Sequence, residues 1–581
     1  MSSKTVHWFI TSFGLAILLS SLGLAQTAEP AGEITWIVTA ERIWTGDEGR
    51  PWATALGLRG DRIVAVGDRR EARGWGDEGS RRLDLGSRLV VPGLIDNHTH
   101  FDDAGALLLG VNLLAISDRE GLVKEVAAAR ERLPGGAWIV GGDWGAYEAW
   151  ARDSAGTEGG GKGAEPFTPH RSMVDPVTPS NPLLLSRWDR QLYLANTLAL
   201  RRAELSCGDE GVECSQAGEP SGRLSPAAAQ KVRAVIPPKS MDQRLAEARV
   251  ALARLAENGV TGIHDITTPE QMEVFRRLHA GGELTVRIYA RPTLDKVGHL
   301  AAVGIRHGFG DEWLRIGGLK GFVDGIMGNS SARFYEPYLT SGERGRWRAM
   351  MEPPGNMERL LLLADDAGHW PQVHAIGDEA IDHLLDLYEK VLTRNGPRDR
   401  RLRVIHTQVL KGPEVARRMA KMGIIAEVQP YHAIDDMRWM AERIGERSRW
   451  AYAFKTLDDA GVLLSFGSDW PGTNASWYPA KPLLGIYAAL TRQTLTGEPA
   501  GGWYPQERLD LETALRAYTV NNAWAAGEED LKGSLTAGKL ADFVVLDRDL
   551  FAIPPAEIKD VRVLMTVVGG RAVFEAPEGP P

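Results

Sequence analysis

The sequence predicts an α/β protein: a (β/α)8 TIM-like barrel, with a small β-sandwich domain built from both termini and an inserted α/β subdomain. Three observations predict it. Eight short apolar segments alternate with helix-like segments through the middle of the chain. Short strand-like runs separated by Gly/Asp turns stand at both ends of it. A long stretch, 110–240, interrupts the alternation after the first apolar segment, and insertions after a barrel strand lie over its C-terminal face.

The chain begins with Lys4, an apolar run over 8–24, and the small residues Gly23 and Ala25 before Gln26. That order of charge, apolar run and small residues is a secretory signal peptide over 1–25. The protein is therefore expected outside the cytoplasm, periplasmic or extracellular, beginning near Gln26. Strand-like segments follow at 34–39, 55–59, 62–66 and 81–85, and again at 542–547, 563–568 and 571–574. They define a composite β domain over 33–88 and 533–577. The barrel spans 89–532. Its strands are expected at 89–96, 260–266, 284–290, 314–323, 372–374, 402–406, 424–428 and 462–467. Helices are expected at 241–257, 271–279, 357–367, 379–392, 413–421 and 482–491. The insertion carries strand candidates at 137–142 and 183–187 and a Gly-rich loop at 156–163; it reads as a substrate-covering subdomain.

With 581 residues, 43% hydrophobic and 25% charged, the chain is long enough for more than one core. A net charge of −9 and the lack of a basic tract exclude a nucleic-acid partner. Cys207 and Cys214, within CGDEGVEC, read as a disulfide of an exported protein rather than a metal site.

The chemistry starts at 89–101, LVVPGLIDNHTHF. Residues two apart on a strand share a face, so His98 and His100 can point at one metal ion. Other strand ends supply further donors: Lys320, His374 in QVHAIGDEA, His406 in VIHTQ, and Asp469 in SFGSDWP. C-terminal strand ends are where barrel active sites form. An ammonium repels metals, but carbon dioxide would convert Lys320 to a carbamate, an anion able to bridge two ions. The alternative is an uncarboxylated lysine paired with Asp324. The expected cofactor is thus one or two divalent ions, zinc by ligand type, with a carbamate on Lys320.

In order, the motifs are PGLIDNHTH, KGFVDGIMGNSSARFYEPY, VHAIGDEAID, VIHTQVL, EVQPYHAIDD, GSDWP with PAKPLLGIYAALTR, and GSLTAGKLADFVVLD. Taken together they resemble the amidohydrolase superfamily, in particular its YtcJ-like branch of metal-dependent hydrolases, to which N-substituted formamide deformylase belongs. The resemblance implies that His98 and His100 hold one metal and His374 and His406 the other. It also implies that carboxylated Lys320 bridges them, and that Asp469 binds metal and handles the proton. Two departures stand out. Asp189-Arg190-Gln191 replaces the branch's Asp-Gly-His, and Ile405-His406-Thr407 replaces its Glu-His-Ala.

The expected function is metal-dependent hydrolysis of a non-peptide C–N bond in an amide, formamide or N-acyl amine. A divalent ion lowers the pKa of water toward neutrality, and Asp469 acts as base and then acid. His432 is expected to bind substrate by helping to polarise the scissile carbonyl; Asp324 and Arg333, with the loop Asn329-Ser330-Ser331, either shape the substrate pocket or hydrogen-bond within their loop. Trp144, Trp188, Trp470 and Trp477 favour a small-molecule substrate with an apolar or aromatic group. A homo-oligomer is compatible with this sequence. A lactone or ester hydrolase of the same fold, or a binding protein without turnover, are the alternatives.

Overall fold

A computed structural model describes residues 34–577 except 114, 115, 117, 145–167, 188–189 and 473–478. The leader, the Gly-rich loop at 156–163, Trp188, Asp189 and Trp477 lie outside the described residues. Among the described residues no helix is long and apolar enough to cross a membrane.

Both ends of the chain share one sheet. Strands β1 (Trp36–Trp44), β2 (Trp52–Arg59), β3 (Arg62–Gly67), β4 (Arg81–Asp84) and β5 (Leu89–Pro92) join β21 (Phe543–Leu546), β22 (Val563–Val568) and β23 (Arg571–Glu575). The ends meet at β5, which runs parallel to β1 and antiparallel to β21. The single strand expected at 89–96 is therefore two. After β5 the chain turns at Gly93 and continues as β6 (Leu94–Thr99) in a different sheet. A Cβ at Gly93 would lie 2.2 Å from Thr261 Oγ1 and 2.8 Å from its Cβ, so glycine here leaves room for the Thr261 side chain.

The middle of the chain forms two parallel sheets. One pairs β6 with β13 (Val260–Ile266), β14 (Arg287–Arg291) and β15 (Leu314–Ile316). The other runs through β16 (Leu319–Phe322), β17 (Pro371–Ala375), β18 (Arg403–His406), β19 (Ile425–Val428) and β20 (Leu464–Phe466). Isolated parallel bridges at Thr99–Trp470 and Thr293–Lys320 link them. The segment expected as one strand at 314–323 breaks at Gly317-Gly318, and its halves belong to different sheets. A Cβ at Gly317 would meet the Tyr289 ring at 2.2 Å, and one at Gly318 would meet Gln372 Nε2 at 2.2 Å. Strands β17 to β20 are buried throughout, as strands covered on both faces are.

Helices cover the sheets. Met241–Glu257 starts where Ser240 accepts a hydrogen bond from Gln243 N, and Pro269–Ala280 where Thr268 accepts from Gln271 N. Asp378–Asn395 opens with two acids at the positive end of its dipole and buries Ile381, Leu384, Leu385, Tyr388 and Val391 at helical spacing.

The insertion is a sheet of its own: β7 (Val111–Asn112), β8 (Ile139–Trp144), β9 (Leu183–Arg187), β10 (Tyr193–Ala195), β11 (Val212–Cys214) and β12 (Pro220–Leu224), in the order β11-β12-β10-β9-β8-β7. The Cys207–Cys214 disulfide is formed, with Cα atoms 5.8 Å apart. Trp144 and Trp470 are both 1% exposed and pack in the insertion core and beside Phe101 and Phe275 respectively. They are core residues, the more common place for a tryptophan.

Candidate metal centre

The ends of β6 and β20 are stitched together, and the stitching brings the first ligands into contact. Asp96 Oδ1 accepts from His98 N at 3.1 Å and Ser468 N at 2.9 Å. Asp469 N donates to His98 O, and His100 N donates to Trp470 O. Beneath them Asn97 Nδ2 donates to Ser465 Oγ, which donates to Asn522 Oδ1. Burial pushes the Asp96 pKa up to about 6. On the other side, Asp265 accepts from Thr99 Oγ1 at 3.0 Å and Phe101 N at 2.8 Å, which fixes the turn carrying His100.

The result is a convergence of three donors. The Nε2 atoms of His98 and His100 lie 3.3 and 3.1 Å from Asp469 Oδ1, and ligand atoms of all three residues fall within 4.8 Å of one another. Asp469 Oδ1 is buried and makes no hydrogen bond with the described residues. A buried carboxylate oxygen facing two imidazole nitrogens is costly unless a cation balances it. These residues therefore fit a divalent metal ion. Burial works against a charged Asp469, but His98, His100 and His406 hold its pKa well below the usual carboxylate range. Asp469 also has φ 57° and His406 φ 74°, left-handed values that cost about 1–3 kcal/mol each and concentrate at functional sites.

The remaining expected ligands adjoin this cluster. The His406 ring centroid is 5.0 Å from that of His98 and 4.7 Å from that of His374. Lys320 Nζ is 3.4 Å from His98 Nε2. It lies second in β16, which opens its sheet, rather than late in a long fourth strand. Burial and the nearby Arg291 bring the Lys320 pKa down to about 7, so an uncharged amine is accessible near neutral pH.

Three of the four histidines have one ring nitrogen occupied from behind. His98 Nδ1 lies 2.7 Å from Glu427 Oε1, His406 Nδ1 is 2.8 Å from Gln429 Oε1, and His374 Nε2 is 2.9 Å from Gly325 O. That leaves Nε2 of His98, Nε2 of His406 and Nδ1 of His374 as the nitrogens open to a metal.

The residues expected near the substrate all have partners within the protein. Asp324 is fully buried and accepts from the backbone N–H groups of Arg333, Ile376 and Gly377; it also lies 3.3 Å from His374 Nε2. It holds a loop and contacts His374. The Arg333 guanidinium pairs with Glu379 at 2.9 Å. Ser331 Oγ bonds within its own loop, to Asn329 and Ile326. His432 is buried near the cluster, with Nε2 3.2 Å from Ser468 O, and burial keeps it neutral.

Residues that sequence reasoning missed lie under the ligands. Glu427 on β19 is fully buried between Arg291 on β14, at 2.8 Å, and Arg403 on β18, at 2.9 Å. Their signal was available: a charged residue inside each of the apolar runs IIAEV, RIYAR and RVIH.

The chain belongs to the Amidohydrolase family, whose pattern matches residues 81–574. It is 33% identical to the protein LONG AFTER FAR-RED 3 of Arabidopsis thaliana, over 95% of this chain and 94% of that one. It is 28% identical to the putative amidohydrolase YtcJ of Bacillus subtilis (86% and 92% covered) and 27% to N-substituted formamide deformylase of Arthrobacter pascens (92% and 97%). An uncharacterized metal-dependent hydrolase from Pyrococcus horikoshii has the same fold, with TM-score 0.70 at 23% identity over 90% and 99% of the two chains.

One titration near the site is testable. Asp436 lies on the helix Pro430–Ile444 that carries His432, and accepts hydrogen bonds from Gln408 Nε2 and Tyr452 OH through one oxygen. Burial, with Asp435 nearby, raises its pKa to about 8. Between the unfolded value of about 4 and this folded value, the unfolded state binds fewer protons, so this group makes stability fall as pH rises. Asp436→Asn keeps an acceptor and cannot ionise. We expect thermal denaturation to show a smaller loss of stability from pH 5 to pH 8 in the variant than in the parent. An unchanged pH dependence would contradict the assignment.

Proposed function

We propose that this protein is an exported metal-dependent hydrolase of small molecules that cleaves a non-peptide C–N bond in an amide, formamide or N-acyl amine. The observation that carries the reading is the convergence of His98 Nε2, His100 Nε2 and the unbonded Asp469 Oδ1. The deformylase and the putative amidohydrolase among its relatives support the choice of bond. The two parallel sheets, joined by two bridges, support a (β/α)8 barrel with this cluster at the C-terminal strand ends.

A bound divalent ion, zinc by donor type, would supply the Lewis acidity that brings water toward ionisation at neutral pH. His98, His100 and Asp469 would hold one ion; His374 and His406 would hold a second. Lys320, partly uncharged near neutral pH, would add carbon dioxide through its amine nitrogen with loss of one N–H proton, and the carbamate would be the anion joining the two sets. Asp469, kept ionised, would accept the proton from water on the carboxylate oxygen not given to the ion and deliver it to the departing nitrogen. Burial excludes bulk water from that transfer, and His100, 24% exposed at its side chain, marks the open side of the site.

Lys320→Ala tests the two-ion arrangement. Two dications about 3.5–4 Å apart need an anion between them. We expect the variant to fold by circular dichroism, lose at least one metal equivalent by elemental analysis, and lose most turnover on an amide and formamide panel. Two retained equivalents with near-normal turnover would make Lys320 a structural residue. Turnover confined to lactones or esters would move the reading to C–O bonds.

The leader supports export. N-terminal sequencing of protein from its native host should find a start near Gln26; soluble cytoplasmic protein beginning at Met1 would refute it.

A further inference from the structure

The buried charge beneath the candidate metal centre has a structure of its own. Arg291 Nη1 lies 2.8 Å from Glu427 Oε1 and 3.1 Å from Oε2, while Arg403 Nη1 lies 2.9 Å from Oε2. Arg291 also donates to Gln372 Oε1 and His264 O, and Arg403 donates to Ala525 O. Glu427, Arg291, Arg403 and Gln372 have no exposed surface. Both carboxylate oxygens thus receive charged donors, and the same Oε1 that faces Arg291 lies 2.7 Å from His98 Nδ1.

An ionised carboxylate can only accept hydrogen bonds. With two guanidinium groups against it, Glu427 is ionised, so the proton in its contact with His98 belongs to the imidazole. Nδ1 therefore carries hydrogen, and Nε2 carries the lone pair. That lone pair faces Asp469 Oδ1 and Lys320 Nζ. The opposite tautomer would set an imidazole lone pair against the carboxylate and turn an N–H toward the ligand cluster.

We propose that Glu427 is a positioning residue that fixes His98 in the Nδ1–H tautomer, with Arg291 and Arg403 keeping it ionised, so that His98 Nε2 is ready for metal before metal arrives. The proposal rests on the reading of His98 as a metal ligand. It differs from the ordinary role of a buried ion pair because it specifies which ring nitrogen bears hydrogen. The two arginines are part of the device. A carboxylate offers two equivalent accepting oxygens, one turned to Arg403 and one shared by Arg291 and His98. An amide at 427 has a single oxygen and an NH2 group. Either the NH2 opposes a guanidinium, or it faces His98 Nδ1 and drives the ring into the tautomer that cannot bind through Nε2.

The test uses full-length protein and two readouts independent of turnover. In metal-free protein labelled with 15N-histidine, the His98 ring, assigned by its loss in His98→Gln, is expected to show a protonated Nδ1 and an unprotonated Nε2. Glu427→Gln is expected to weaken zinc binding about 10–100-fold in chelator competition, the range for losing the partner behind a metal-binding histidine. Where the new NH2 faces His98, the Nδ1–H signature should also give way to an Nε2–H one, with circular dichroism unchanged; where it faces a guanidinium, the Nδ1–H signature stays and the zinc affinity reads the loss of the charged partner. A His98 ring protonated at Nε2 in the metal-free parent overturns the proposal. So does a folded Glu427→Gln with parental zinc affinity. If Glu427→Gln does not fold, because two buried guanidinium groups have lost their anion, the parent spectrum alone decides. Failure of the hydrolase reading looks different: no amide is cleaved, while His98 still shows its fixed tautomer and zinc still binds.

Discussion

Glu427 is the constraint on which the centre of this molecule depends. A carboxylate with no access to water is stable only when charge and hydrogen bonds surround it, and removing one partner of such a group is strongly destabilising. Its partners come from β6, β14 and β18, so strands from both parallel sheets must close around it. The requirement that stabilises Glu427 thus also fixes where His98 stands. Above it, the stitching of β6 to β20 by Asp96, Ser468 and Asn522 sets the distance between His98 and Asp469. Fold and site are held by the same polar contacts rather than by a core with a site added to its rim.

The donor set follows a division of labour. The imidazoles of His98, His406 and His374 each give one nitrogen to the protein and turn the other toward the cluster. The partner differs in each case: carboxylate for His98, side-chain amide for His406, backbone carbonyl for His374. A charged partner makes an imidazole a stronger donor to metal than a neutral one does. His98 is therefore the anchor of the set, while His100, the more open ring, has its chain fixed by Asp265.

The clustering of His98, His100 and Asp469 was legible in the sequence because metal chemistry needs a few residue types at strand ends, and apolar runs of four to eight residues mark where strands end. Val260–Ile266 and Met241–Glu257 form over the residues expected, since a run rich in β-branched residues and a Ser240 cap are local signals. What was not legible depends on close approach. Gly93 and Gly317-Gly318 look like ordinary strand glycines until Thr261, Tyr289 and Gln372 are seen against them. Asp324 and Arg333 could be read as pocket residues because their partners, Ile376, Gly377 and Glu379, are more than forty residues away in sequence. The tryptophans Trp144 and Trp470 went to cores for the ordinary reason that large apolar rings are most stable buried.

The central claim is that the cluster at the ends of β6 and β20 is a metal site. Anomalous diffraction at the zinc edge, on crystals of zinc-loaded protein, tests it most directly. The account predicts an anomalous peak about 2.0–2.2 Å from Nε2 of His98, Nε2 of His100 and a carboxylate oxygen of Asp469. Zinc bound elsewhere with this cluster empty, or zinc held through His98 Nδ1 in place of Glu427, would contradict it.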